Sequence, residues 1–119
     1  MKQPTPKVSE ADVFRVAERD FGKDSVPGVL AILERYGTED WQLEVVRVRL
    51  AILKVAGRDI VRLQSAADRA QVDYRDLLAP AEYPGYSRLS YQEVNDLPPD
   101  DQKRLIESDW KQYEDWLLG

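Results

Sequence analysis

Thr38-Glu39-Asp40-Trp41-Gln42-Leu43-Glu44-Val45-Val46-Arg47-Val48-Arg49-Leu50-Ala51-Ile52-Leu53-Lys54-Val55-Ala56-Gly57 is the stretch around which the chain is organised. At about 100° per residue, Trp41, Val45, Val48, Ile52 and Val55 fall on one side of a helix, and Leu43, Val46, Leu50 and Leu53 fall nearly opposite. A helix apolar on two sides has to be covered on two sides. Strict alternation is absent, so the β-branched residues do not make a strand. The ends carry helix punctuation: Thr38 as N-cap, Glu39 and Asp40 in the first turn, and Gly57 past the end. The spacing therefore predicts a central helix over residues 38 to 57. Arg49 lies in the narrow polar wedge between its two apolar stripes, where packed layers would enclose it.

Working outward from that helix, the chain of 119 residues fits one domain, residues 1 to 119, with 43% apolar and 33% charged residues. It has no Cys and no His. That removes disulfides, thiolate nucleophiles, the commonest general base and the commonest zinc ligand. No apolar run is long enough to span a bilayer and the Met1-Lys2-Gln3-Pro4 start has no apolar core of a signal peptide, so the expected location is the cytoplasm. Residues 93 to 119 hold three basic and eight acidic groups, which accounts for the whole net charge of -5.

Residues 1 to 8 read as a loose lead-in. Ser9 opens a helix with Asp12 in the capping-box position, a second helix runs from near Ser25 to Gly37, and Asp59 caps another whose inner side is Ile60, Leu63, Ala66, Ala67 and Ala70. Asp73 reads as the N-cap of a short helix, with Pro80 in its last turn or at its end. Residues 83 to 99 lack a helical period but carry Tyr83, Tyr86, Leu89, Tyr91, Val94 and Leu97, so they are expected as a long ordered loop laid over the core. Asp100 reads as the cap of a final helix over 100 to 118 with an aromatic face. The fold expected is all-α, a single compact bundle of five to six helices.

Asp109 projects into that aromatic face, where a carboxylate needs a cation or hydrogen-bond donors; Arg49 is the expected partner in a structural ion pair. Asp73, Arg75, Asp76 and Glu82 form the densest polar cluster. It could serve carboxylate chemistry or a hard metal, but an N-capping pair explains the aspartates, and no metal or cofactor is expected. Arg58, Arg62 and Arg69 give the 58 to 69 helix a basic face, a candidate nucleic-acid footprint. The acidic whole chain and the lack of interleaved aromatics argue against that use, with the acidic C-terminal helix expected to mask the arginines. Tyr83, Tyr86, Arg88 and Tyr91 are residue types enriched at protein contacts and form the candidate interface. Self-association is left open for a chain with three Trp and six Tyr.

Glu34-Arg35-Tyr36-Gly37, Arg47 through Lys54, Asp73-Tyr74-Arg75-Asp76-Leu77-Leu78-Ala79, Ala81-Glu82-Tyr83-Pro84 and Asp109-Trp110 through Trp116-Leu117 together resemble a family of small uncharacterised bacterial proteins. The resemblance covers residues 30 to 118 and leaves the N-terminal helix outside it. It implies a compact bacterial helical domain and transfers no catalytic residue. A non-enzymatic protein-binding or scaffold domain is therefore the leading expectation. An enzyme using the carboxylate, Tyr and Arg groups around residues 73 to 86 is the alternative.

Overall fold

The helix expected from residue 38 begins at Val45 in the computed structural model, which describes residues 4–119. Residues 37 to 44 make a structured loop instead. The Gln42 side chain is the cause: its Oε1 accepts from the backbone N–H groups of Gly37, Thr38 and Glu39 at 2.8, 2.8 and 3.0 Å. The Gln42 amide also donates to Gln71 Oε1 at 2.7 Å, and Gln71 in turn donates to the Arg35 carbonyl. Glu44, at φ 55° and ψ 45°, closes the loop in the left-handed region, which a helical residue cannot occupy. Trp41 and Leu43 consequently leave the two stripes and stand about half exposed. Thr38 is not an N-cap.

Gln42 is buried, and its loss leaves three donors of the loop without an acceptor. Gln42→Ala is expected to destabilise the fold by about 2 kcal/mol, because water reaches part of this loop and recovers some of the lost bonding. Urea unfolding followed by circular dichroism measures it.

Among the described residues eight α-helices follow in order: α1 Glu10–Phe21, α2 Val26–Leu33, α3 Val45–Ala56, α4 Ile60–Val72, α5 Arg75–Glu82, α6 Pro84–Ser87, α7 Tyr91–Asp96 and α8 Pro99–Leu118. The described residues contain no strand, and no helix among them is long and apolar enough to cross a membrane. The count exceeds the five to six expected because α6 and α7 lie inside the stretch expected as a loop. Helices of four and six residues are too short to show a 3.6-residue period. Pro80 sits on the exposed side of α5, which continues two residues past it to Glu82. The last helix starts at Pro99 behind Pro98, one residue before the expected cap.

Val48, Leu50, Ala51, Ile52, Leu53 and Ala56 bury α3 on several sides, and it packs against α1, α4 and α5. The small residues of α4 (Ala66, Ala67 and Ala70) are fully covered and let the α3 backbone come close. Asp59 caps α4 by accepting from Val61 and Arg62 N–H. At the start of α1 the Ser9 N–H donates to Asp12, which holds that carboxyl below its ordinary value. Within the lead-in Pro6 is buried, and the Tyr83 hydroxyl donates to the Pro4 carbonyl. Residues 1 to 3 lie outside the described residues.

α8 packs on α5 and α6 through Ile106, Asp109 and Tyr113. Its far end is held by Arg19 of α1, which donates to the Trp116 carbonyl at 2.6 Å and lies 5.4 Å from the Trp116 ring centroid. A cation at a helix C-terminus satisfies free carbonyls and the helix dipole together.

Candidate functional site

The polar residues of interest gather where α5, α6 and α8 meet. Tyr83 separates α5 from α6, and Pro84 fixes the first turn of α6. Both oxygens of Asp109 accept from that turn, one from Gly85 N–H and one from Tyr86 N–H, each at 2.9 Å. A side chain of α8 thus does the work of a cap for α6. Close approach is what makes residue 85 a glycine: a Cβ there would stand 2.8 Å from Asp109 Oδ1 and 2.9 Å from Leu105 Cδ1. Gly85→Ala is expected to cost about 1–3 kcal/mol by pushing α6 off α8, read as a lowered thermal midpoint.

Arg49 is not the partner of Asp109. Its guanidinium donates to the Leu33 carbonyl at 3.2 Å and to the Tyr36 carbonyl at 2.8 Å, so it is spent on the end of α2. Both residues obey the rule that enclosed charge must be hydrogen-bonded, yet backbone groups rather than each other satisfy it.

The buried ion pair of this region is a different one. Arg47 of α3 holds Glu82 of α5 in a two-pronged contact, Nε to Oε2 at 3.0 Å and Nη2 to Oε1 at 2.6 Å, and also reaches Glu44 at 3.1 Å. The Glu82 side chain is 2% exposed. Its hydrogen bonds, the largest influence on Arg47, push the guanidinium pKa further up. Gln112 of α8 adds a bond from its amide to the Glu82 carbonyl.

The cluster expected from residues 73 to 82 is therefore split. Asp73 and Arg75 pair with each other at 3.1 Å in the open, Asp76 is exposed, and Glu82 points inward to Arg47. Arg75 and Glu82 do line one shallow cavity of about 350 Å³ with Tyr83 and Tyr86. Both Glu82 oxygens are already engaged there, so the carboxylate is not free to act as a base. Among the described residues no group of three acidic side chains could hold a metal ion.

The expected interface residues also separate. Tyr83 is buried, with its hydroxyl pushed up to about 12 by burial, and it belongs to the interior. Tyr86 is partly covered, Arg88 is exposed, and Tyr91 on α7 is 86% exposed. None of the six residues of α7 is buried. It is nevertheless well anchored: Ser90 and Glu93 form a reciprocal capping box at its start, and the Gln102 amide of α8 donates to the Val94 and Leu97 carbonyls at its end. Between α6, α7 and α8 lies a cavity of about 310 Å³ lined by Tyr86, Leu89, Tyr91, Val94 and Gln102.

Just before α4, Arg58 lies 3.5 Å from Asp20 of α1, while Arg62 and Arg69 on α4 are exposed. The expectation that the acidic C-terminal helix masks this face is incorrect, because α8 packs on α5 and α6 instead. Arg47, Gln42, Gln102 and Gln112 were not singled out by sequence: Arg47, Gln42 and Gln112 reach partners 29 to 35 residues away, and Gln102 binds backbone carbonyls, which carry no side-chain signature. No family model, no curated protein and no solved structure matches the chain, so the resemblance of residues 30 to 118 assigns no role to any of these positions.

Proposed function

We propose that this protein is a non-enzymatic protein-binding domain, and that it meets its partner along the α6–α7 edge through Tyr86, Arg88 and Tyr91. The observation that carries the reading is α7 itself: a helix capped at both ends that buries none of its own residues. Ordering six residues costs conformational entropy, and α7 recovers only part of it by burial within this chain, through half-buried Val94. What the ordering achieves is a fixed exposed tyrosine beside a shallow groove, with an arginine three residues before it. Tyr and Arg are the side chains that most often dominate binding energy at protein contacts. The engagement of Glu82 and Asp109 in structural hydrogen bonds supports a binding role over catalysis.

The test is capture of a partner from the native cell by the tagged chain, repeated with Tyr91→Ala and Arg88→Ala. Both variants are expected to keep the thermal midpoint within about 2 °C, because neither side chain is buried. A specifically captured protein is expected to be lost by at least tenfold with Tyr91→Ala. Undiminished capture by both variants, or a large drop in midpoint, would sink the assignment.

A further inference from the structure

We propose that the groove between residues 4–8 and the aromatic face of α8 recognises an extended Pro-X-Pro segment followed by a basic residue, and that the chain's own Pro4-Thr5-Pro6-Lys7 occupies it in cis. This site is separate from the α6–α7 edge and stands or falls independently of it.

The occupying segment has the chemistry of such a ligand. Pro4 and Pro6 have fixed φ, and Thr5, preceding a proline, is confined to extended conformations. Among the described residues, 4 to 8 make no backbone–backbone hydrogen bond, so nothing in a helix or sheet ties them down. They are held as a bound peptide would be. Pro6 is buried, and the Tyr83 hydroxyl donates to the Pro4 carbonyl. Trp110, Tyr113 and Leu117 of α8 line the same cavity as Pro4, Thr5 and Pro6. Aromatic-lined grooves take up proline-rich chains because those chains lose little entropy on binding and present carbonyls to ring hydroxyls and N–H groups.

Grooves open to solvent flank the segment, one of about 420 Å³ toward α8 and one of about 660 Å³ toward Val45, Val46 and Arg47. Among the described residues the buried Tyr113 hydroxyl has no hydrogen-bond partner, residues 4–8 included. Charge selects the residue after the prolines. Lys7 and Glu114 line the same cavity, and residues 93 to 119 carry eight acidic against three basic groups. A site filled by its own chain binds an outside ligand only in the fraction of molecules where the segment has lifted, so its affinity is reduced by that fraction.

The experiment uses the full chain and a fluorescent peptide copying residues 4–9, followed by anisotropy. The Pro4→Gly/Pro6→Gly variant, with its own segment loosened, is expected to bind the peptide at least tenfold more tightly than the unaltered chain. Adding Trp110→Ala to it, or replacing both peptide prolines by alanine, is expected to lose at least tenfold. Equal binding by the loosened and unaltered chains, or none by the loosened chain, would overturn the proposal. Should that variant fail to fold, amide chemical shifts of the unaltered chain serve in its place. Excess peptide is expected to shift residues 110 to 117 and move residues 5 to 8 toward free-chain values. Shifts confined elsewhere, no shifts, or a concentration-dependent dimer exchanging its N-terminal segments would overturn it.

Discussion

Glu82→Ala is expected to be the most damaging single substitution at the α5–α6–α8 junction, lowering stability by about 3–5 kcal/mol. The Glu82 side chain is 2% exposed and Arg47, its partner, 19%. Removing the carboxylate leaves a guanidinium mostly enclosed, with only Glu44 to answer it. The loss is mainly this stranded charge, and the worth of the pair itself is much smaller, because bringing both ions out of water offsets most of their attraction. Replacing both partners, Arg47→Met with Glu82→Leu, is accordingly expected to recover most of the loss. For a chain of this size about 1 kcal/mol moves the thermal midpoint by roughly 4 °C, so calorimetry separates the single from the double variant easily.

Asp109→Ala is expected to cost about 3 kcal/mol. Two N–H groups, those of Gly85 and Tyr86, lose a charged acceptor at 2.9 Å in a place where the acceptor itself is 4% exposed. Each abandoned donor costs about 1–3 kcal/mol, less whatever water recovers. Asp109→Asn is expected to fall between the two, since one amide oxygen can still accept while its NH₂ faces a donor. Because α6 hangs from this carboxylate, hydrogen exchange at residues 84–88 is expected to speed up more than at Val45–Ala56. Equal acceleration in both segments would mean that Asp109 supports the whole fold rather than the junction.

These two carboxylates also mark the limit of what the amino-acid sequence discloses. That Asp109 needed a partner was legible from the aromatic face around it, because a buried carboxylate always does. Which partner was not legible: backbone amides of residues 85 and 86 carry no sequence signature, and neither do the α2 carbonyls that take up Arg49. Arg47 and Glu82 are 35 residues apart, beyond any local pattern. Elements governed by local chemistry were readable. Asp59 gave α4 its start and the alanines with Leu63 its inner face, although Ile60, expected there too, is 45% exposed; in α3 the apolar residues from Val48 onward are buried, with Val55 half-buried. The start of α3 was misread because Thr38, Glu39 and Asp40 look like a first turn. Gln42, locked by Gln71 from α4, instead takes up the N–H groups of Gly37, Thr38 and Glu39. Periodicity likewise has nothing to grip in α6 and α7, whose order comes from capping rather than from a buried stripe.

The candidate interface shows the same division. Tyr83, Tyr86 and Tyr91 are alike in composition, and only their places in the fold separate an interior tyrosine from an exposed one. Amide hydrogen exchange on the full chain, with and without a captured partner, tests the binding assignment most directly. Exchange is expected to slow at residues 84–97 on complex formation and to stay unchanged across Val45–Ala56. Slowing confined to other surfaces, with residues 84–97 unaffected, would contradict it.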